Sequence, residues 1–158
     1  SIFNGTTINK KMRLDHESLS HPETRILKYH GYSHDDFFKP HSDGAWPGSR
    51  IIDNELIANA FPDRYSQMTF LIYLNDEFEG GATRFLVNAN DTTKPAKTGD
   101  AVVNIDVRTP AGSILCFPHG MHPLHCIHSS VAITKGVKYI IRSDVLFVCP
   151  TKLANPST

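Results

Sequence analysis

"GVKYIIRSDVLFV" occupies residues 136–148, and its reading decides the fold class. A glycine opens the stretch, and Val, Ile, Tyr and Phe then dominate, the residue types that suit a pleated, half-buried surface. Stretches of the same character lie upstream: "RILKYH" (25–30), "DFFKPHSD" (36–43), "SQMTFLIYLN" (66–75), "ATRFLV" (82–87), "AVVNIDV" (101–107) and "GSILCF" (112–117). Gly, Pro, Asn or Asp bound most of them. Many short strands divided by turn signals make a mainly β domain, a sandwich or a barrel. One stretch departs from this pattern. "IIDNELIANAF" (51–61) spaces Ile52, Leu56 and Ala60 four apart and places Asp53 as a cap, so it reads as a short helix. The segments 44–65 and 88–100 are polar and rich in Pro, Gly, Asn or Thr, and read as surface loops on the β scaffold.

A chain of 158 residues supports one domain with its own core. With 40% hydrophobic and 20% charged residues the composition is that of a soluble globular protein. No apolar run approaches the ~20 residues that cross a bilayer, so no membrane span is expected. Sixteen basic residues balance sixteen acidic ones, so net charge exerts no long-range pull on phosphate backbones. Nucleic acid is therefore not an expected partner, and oligomeric state is not indicated. Cys116, Cys126 and Cys149 are sparse and lack CxxC spacing, which favours a reducing compartment, cytoplasmic or nuclear. The chain starts at Ser1 without a targeting pattern, so an address segment is expected to have been removed. The sequons at Asn4 and Asn90 carry little weight.

Histidines recur every third residue in "HGMHPLHCIH" (119–128), at His119, His122, His125 and His128. That spacing fits neither one strand face nor one helical stripe, so the four cannot all face one ion. Upstream, His41 and Asp43 in "HSD" close a strand, where period-two alternation projects both from one face. His128 precedes Lys138 by ten residues, with a turn at Gly136 between them. Two His and one carboxylate on one face of an octahedral ion leave three positions open, the arrangement suited to non-haem Fe(II). A strand lysine nearby could pair with the far carboxylate of a co-substrate held at those positions.

Four separated blocks, "RILKYHGYSHDDFFKPHSDG", "LIYLNDEFEGGATRF", "PAGSILCFPHG" and "H…GVKYIIRSDVLF", resemble in the same order the prolyl-4-hydroxylase type of Fe(II)- and 2-oxoglutarate-dependent dioxygenases. The resemblance runs from about Arg25 to Phe147. It implies a double-stranded β-helix, or jelly roll, with few short helices and with iron at its open mouth. The organisation it implies is a supporting segment over 1–24, the dioxygenase domain over 25–150 and a tail over 151–158. His41, Asp43 and His128 match the family's iron ligands, with Fe(II) as metal and 2-oxoglutarate as co-substrate; ascorbate is a candidate reductant. His125 is the runner-up for the distal ligand, at the cost of three inserted residues before Gly136. Ser129-Ser130 stands where the family has Glu-Gly.

Lys138 matches the partner of the 2-oxoglutarate C5 carboxylate, and Tyr73 and Tyr29 match positions that hydrogen-bond the co-substrate. Thr69, four residues before Tyr73 on the same strand face, could line the pocket. His119 reads as a supporting or loop residue, Arg142 as a structural part of "RSD", Gly80-Gly81 as a strand-entry turn, and Trp46 as a loop aromatic packed on its own barrel. The activity implied is hydroxylation of a C–H bond in a prolyl or related residue of a peptide or protein, coupled to conversion of 2-oxoglutarate and oxygen to succinate and CO2. A small-molecule hydroxylase, a non-catalytic jelly-roll binding module and a Zn²⁺ hydrolase are the competing readings. Nucleobase demethylation is disfavoured, because no arginine pair follows the distal histidine.

Overall fold

A computed structural model describes residues 28–148, with side chains described from residue 31 onward. Twelve strands and no helix occur among the described residues. Eight of the strands form two four-stranded sheets. The first runs β1 (Lys28–Tyr32), β12 (Lys138–Val148), β5 (Arg64–Tyr73), β9 (Ile114–Pro118). The second runs β2 (Phe38–His41), β10 (Ile127–Ser130), β7 (Thr83–Asn88), β8 (Val102–Val107). All pairings within both sheets are antiparallel, and the chain passes back and forth between the sheets as it proceeds. This strand order is the jelly roll. Apolar side chains at alternate positions fill the space between the sheets: Leu71, Tyr73 and Ile140 from the first, Phe85 and Val87 from the second. Phe117 of β9 meets Phe85 of β7 edge-on at 5.0 Å between centroids, tying one sheet to the other.

The stretch 51–61 is not a helix. It contains a hairpin of β3 (Ser49–Ile52) and β4 (Glu55–Ala58), joined by Asp53-Asn54 with φ of 49° and 67°. Two consecutive left-handed residues are the signature of the tight turn whose twist matches antiparallel strands, and Asp and Asn tolerate that conformation. Asp53 is thus a turn residue instead of a cap, and Ile51 faces Leu56 across the ladder. The expected loop over 44–65 is accordingly half hairpin, whereas 88–100 is a loop. Within that loop the Asn88 side chain accepts hydrogen bonds from the backbone N–H groups of Asn90 and Asp91.

A two-stranded ribbon of β6 (Glu79–Gly80) and β11 (Ile133–Lys135) closes beside the sheets. Gly80, with φ of +75°, pairs with Ile133, and a Cβ there would run into the Ala132 carbonyl oxygen. Gly112 has nearly the same φ, +77°, but open space around it. Gly112→Ala should therefore cost only the left-handed strain, about 1–2 kcal/mol. Gly80→Ala should cost a further 1–3 kcal/mol or so from the clash. Urea unfolding of the two variants checks the difference; equal losses would contradict the close approach.

Candidate metal centre

The register of β10 against β2 makes this site, because His128 lies directly opposite His41. Residues facing each other across a ladder project from the same side of the sheet. The two imidazoles consequently lie side by side, 4.3 Å apart between centroids and tilted by 51°. Asp43, two residues beyond His41, brings Oδ1 to 3.5 Å from His41 Nε2 and Oδ2 to 3.6 Å from His128 Nε2. One ligand atom from each of the three side chains lies within 4.8 Å of the others. His41 Nδ1 is 2.8 Å from the Lys39 carbonyl oxygen, and His128 Nδ1 is 3.4 Å from that of Cys126. A ring that donates from Nδ1 to a carbonyl leaves the Nε2 lone pair for a metal. Two nitrogens and a carboxylate then converge from one side, a donor set that fits a facially bound, oxygen-reactive divalent ion.

Burial tunes these groups. Burial pushes the His128 pKa down to about 4 against the opposing pull of Asp43, so at neutral pH the ring is uncharged and ready to ligate. For Asp43, burial works in the other direction but is outweighed. The Thr69 hydroxyl, the Arg142 guanidinium and the two imidazoles hold its carboxyl below the ordinary carboxylate range. The His128–Asp43 contact at neutral pH is therefore a neutral ring beside an anion, not an ion pair.

A cavity of about 230 Å³ opens from the triad and is also lined by Lys138 and Arg142. Lys138 is only 2% exposed; its Nζ donates to the Gly81 carbonyl oxygen at 2.6 Å and lies 5.3 Å from the Tyr73 ring centroid. Burial, with a smaller contribution from Arg108, lowers its pKa to about 8. No carboxylate forms a salt bridge with Lys138 among the described residues. Arg142 is more than structural. Period two along β12 carries residues 138, 140 and 142 onto the cavity face, and the Arg142 guanidinium lies 3.0 Å from Asp43 Oδ1. It is also 3.7 Å from Asp144 Oδ1, a buried oxygen with no hydrogen-bond partner.

Thr69 lines the cavity as expected, but its hydroxyl donates to Asp43 Oδ2 at 2.5 Å. Tyr73 is buried beneath Lys138, and its hydroxyl is 2.6 Å from that of Thr83, which does line the cavity. Tyr29 pairs in register with Ile141, and its side chain lies outside the described residues. The tyrosine of β1 on the cavity wall is Tyr32. Of the histidine row, only His128 joins the triad. His122 accepts the Leu124 N–H, His125 Nδ1 is 3.2 Å from the His122 carbonyl, and His119 is buried between Thr69 and Ser66. Trp46 packs on the barrel, its indole N–H donating to Asp144 Oδ2 at 2.9 Å.

Residues 27–143 match the 2OG-Fe(II) oxygenase superfamily. The chain belongs to that family, whose cofactors are Fe(II) and 2-oxoglutarate. It is 32% identical over 111 residues to a protein of Acanthamoeba polyphaga mimivirus named "Putative prolyl 4-hydroxylase". That match covers 69% of this chain but 39% of the viral protein, so the chain spans well under half its relative's length. Among solved structures it is similar to a Pseudomonas putida prolyl-4-hydroxylase, with a TM-score of 0.46 and 16% identity over 75% of this chain and 49% of that one. A 2OG-Fe(II) oxygenase family oxidoreductase from Burkholderia pseudomallei gives a TM-score of 0.46 and 13% identity over 75% and 40%.

The lowered His128 pKa carries a linkage consequence. Between about pH 6.5 and pH 4 the unfolded chain binds a proton that the metal-free folded chain refuses, so stability falls as pH falls through that window. The loss expected from this group is on the order of 2–3 kcal/mol. Urea unfolding across the window, with the His128 ring signal followed by NMR, checks it. A ring midpoint near 6.5 would contradict the burial described.

Proposed function

We propose that this chain is a 2-oxoglutarate-dependent hydroxylase in which His41, Asp43 and His128 hold Fe(II) and Lys138 grips the C5 carboxylate of the co-substrate. The observation that carries the reading is the single cavity joining the triad to a buried lysine that lacks an anionic partner among the described residues. Charge balance supports it. Of the charged side chains that line the cavity, Lys138 and Arg142 are cationic and only Asp43 is anionic. A divalent ion would add to that positive excess, and a dianionic 2-oxoacid would offset it where unpaired charge is costly. The bound iron and 2-oxoglutarate supply the oxidation of a C–H bond by oxygen, with succinate and CO2 as co-products. The protein's share is to face two imidazole nitrogens and one carboxylate toward one point, to neutralise the far carboxylate, and to keep that carboxylate out of water.

For substrate we infer a prolyl or related residue presented by a peptide or protein. Phe38, 53% exposed on the cavity wall and stacked edge-on against His41, offers an apolar ring surface suited to a pyrrolidine or aliphatic side chain. The name carried by the mimivirus relative points in the same direction.

With Fe(II), 2-oxoglutarate and a prolyl peptide, the wild-type chain should form succinate, and His41→Ala and His128→Ala should abolish it. Unchanged turnover in either variant would overturn the assignment. Lys138→Met should raise the 2-oxoglutarate Kd roughly 10- to 100-fold, the worth of a charged hydrogen bond, with Lys138→Arg losing less. Because the free amine has a pKa of about 8, its charge is present below that pH and lost above it. Wild-type 2-oxoglutarate affinity, measured calorimetrically with Mn(II) as a redox-silent metal, should therefore weaken as pH rises past 8 or so. That pH dependence should vanish in Lys138→Met.

A further inference from the structure

Behind Asp43 lies a row of buried polar side chains for which the iron and 2-oxoglutarate chemistry has no direct use. Ser66, Thr69 and His119 are each 0% exposed. The Trp46 backbone N–H donates to Ser66 Oγ at 3.2 Å, Ser66 Oγ is 2.9 Å from His119 Nε2, His119 Nδ1 is 2.7 Å from Thr69 Oγ1, and Thr69 Oγ1 donates to Asp43 Oδ2 at 2.5 Å. The direction of every bond follows from its two ends. The carboxylate oxygen of Asp43 accepts from the Thr69 hydroxyl, so the Thr69 proton points to it. Thr69 must then accept from His119, which puts the ring proton on Nδ1 and leaves Nε2 to accept the Ser66 proton. Ser66 in turn accepts from the Trp46 N–H, so each side chain of the row has a partner on both sides.

We propose that His119 is a positioning residue that acts through Thr69, and with Ser66 behind it locks the plane of the Asp43 carboxylate at the metal site. The inference rests on the reading of Asp43 as a metal ligand. A carboxylate beyond the end of a strand has two free torsions; Arg142 and His41 contact its Oδ1, and Thr69 is the hydroxyl that holds its Oδ2. Thr69 sits on β5 and His119 just past the end of β9, both in the opposite sheet from His41 and His128. The first sheet therefore contacts, through Thr69, a ligand that is carried just past β2 of the second sheet, as the other two ligands are carried on that sheet. Ordinary satisfaction of buried polar groups would need each of these side chains to have a partner. It would not need the protons to run one way and end on a ligand.

Co(II) binding, followed by its visible absorption in the absence of 2-oxoglutarate, tests the proposal. Asp43→Ala reports on the ligand reading alone: wild-type affinity there would remove the basis of the inference. With that control lost as expected, Thr69→Val and His119→Phe should each weaken Co(II) binding about 10- to 100-fold, the range for partners that orient metal ligands. Thr69→Ser should restore most of the affinity. The double variant Thr69→Val/His119→Phe should bind no worse than the weaker single one, because both break the same chain. In the wild type, ¹⁵N spectra of His119 should show a proton on Nδ1 and an unprotonated Nε2. Wild-type affinity in His119→Phe, additive losses in the double variant, or the opposite tautomer would each overturn it. Thr69→Ser and the tautomer measurement keep the test decisive even where the Phe variant folds poorly.

Discussion

The pairing of β10 with β2 is the contact on which everything else depends. His128 faces His41 because the ladder is in that register, and successive side chains of a strand point to opposite sides. A slip of one residue would place Ile127 or Ser129 opposite His41 and turn the second imidazole away. The register is secured from the other side, where Ile127 through Ser130 pair continuously with Leu86 through Thr83 of β7. Phe85 and Phe117, packed between the sheets, also stand within 6.2 Å and 4.5 Å of the His128 ring, measured between centroids. The same aromatic packing that fills the core fixes the ligand.

Burial then does two electrostatic tasks with one physical cause. A low-dielectric wall disfavours charge on any base, so His128 is left as a neutral donor and Lys138 as a cation only loosely held. Asp43 escapes the same penalty because a hydroxyl and a guanidinium compensate it at close range. Arg142, shared between Asp43 and the unbonded oxygen of Asp144, keeps the acidic groups from repelling each other.

Much of this was legible in the residues because strand alternation and turn chemistry are local. The long strands follow from short-range pattern, whereas the weight given to His41, Asp43, His128 and Lys138 rests on the four-block family resemblance. The hairpin at 49–58 is hidden in the sequence because Ile52, Leu56 and Ala60 satisfy helical spacing by coincidence, and Asp53 suits a helix cap as well as a tight turn. β6 and β11 are two and three residues long and exist through their partner more than through their own composition. Arg142 was underestimated although its signal was present, an even number of residues from Lys138 on one strand. Tyr32 and Thr83 carry no such signal, since which hydroxyl reaches a cavity depends on how two sheets are stacked. His119 reads from the sequence as a supporting or loop residue, but which groups it supports is not legible there, since its bonds to Ser66 and Thr69 span fifty residues or more.

β1 and β12 lie side by side although a hundred residues of chain separate them. A ribosome releases β1 and β2 early, but the strand that carries Lys138 and Arg142 emerges only when almost all of the described fold has been made. Contacts that bridge such long sequence separations form slowly, because the loop between them has to be closed first. During synthesis, then, His41 and Asp43 wait for His128 and Lys138, which follow within ten residues of each other, and until β12 arrives β1 and β5 present unpaired edges to whatever surrounds them.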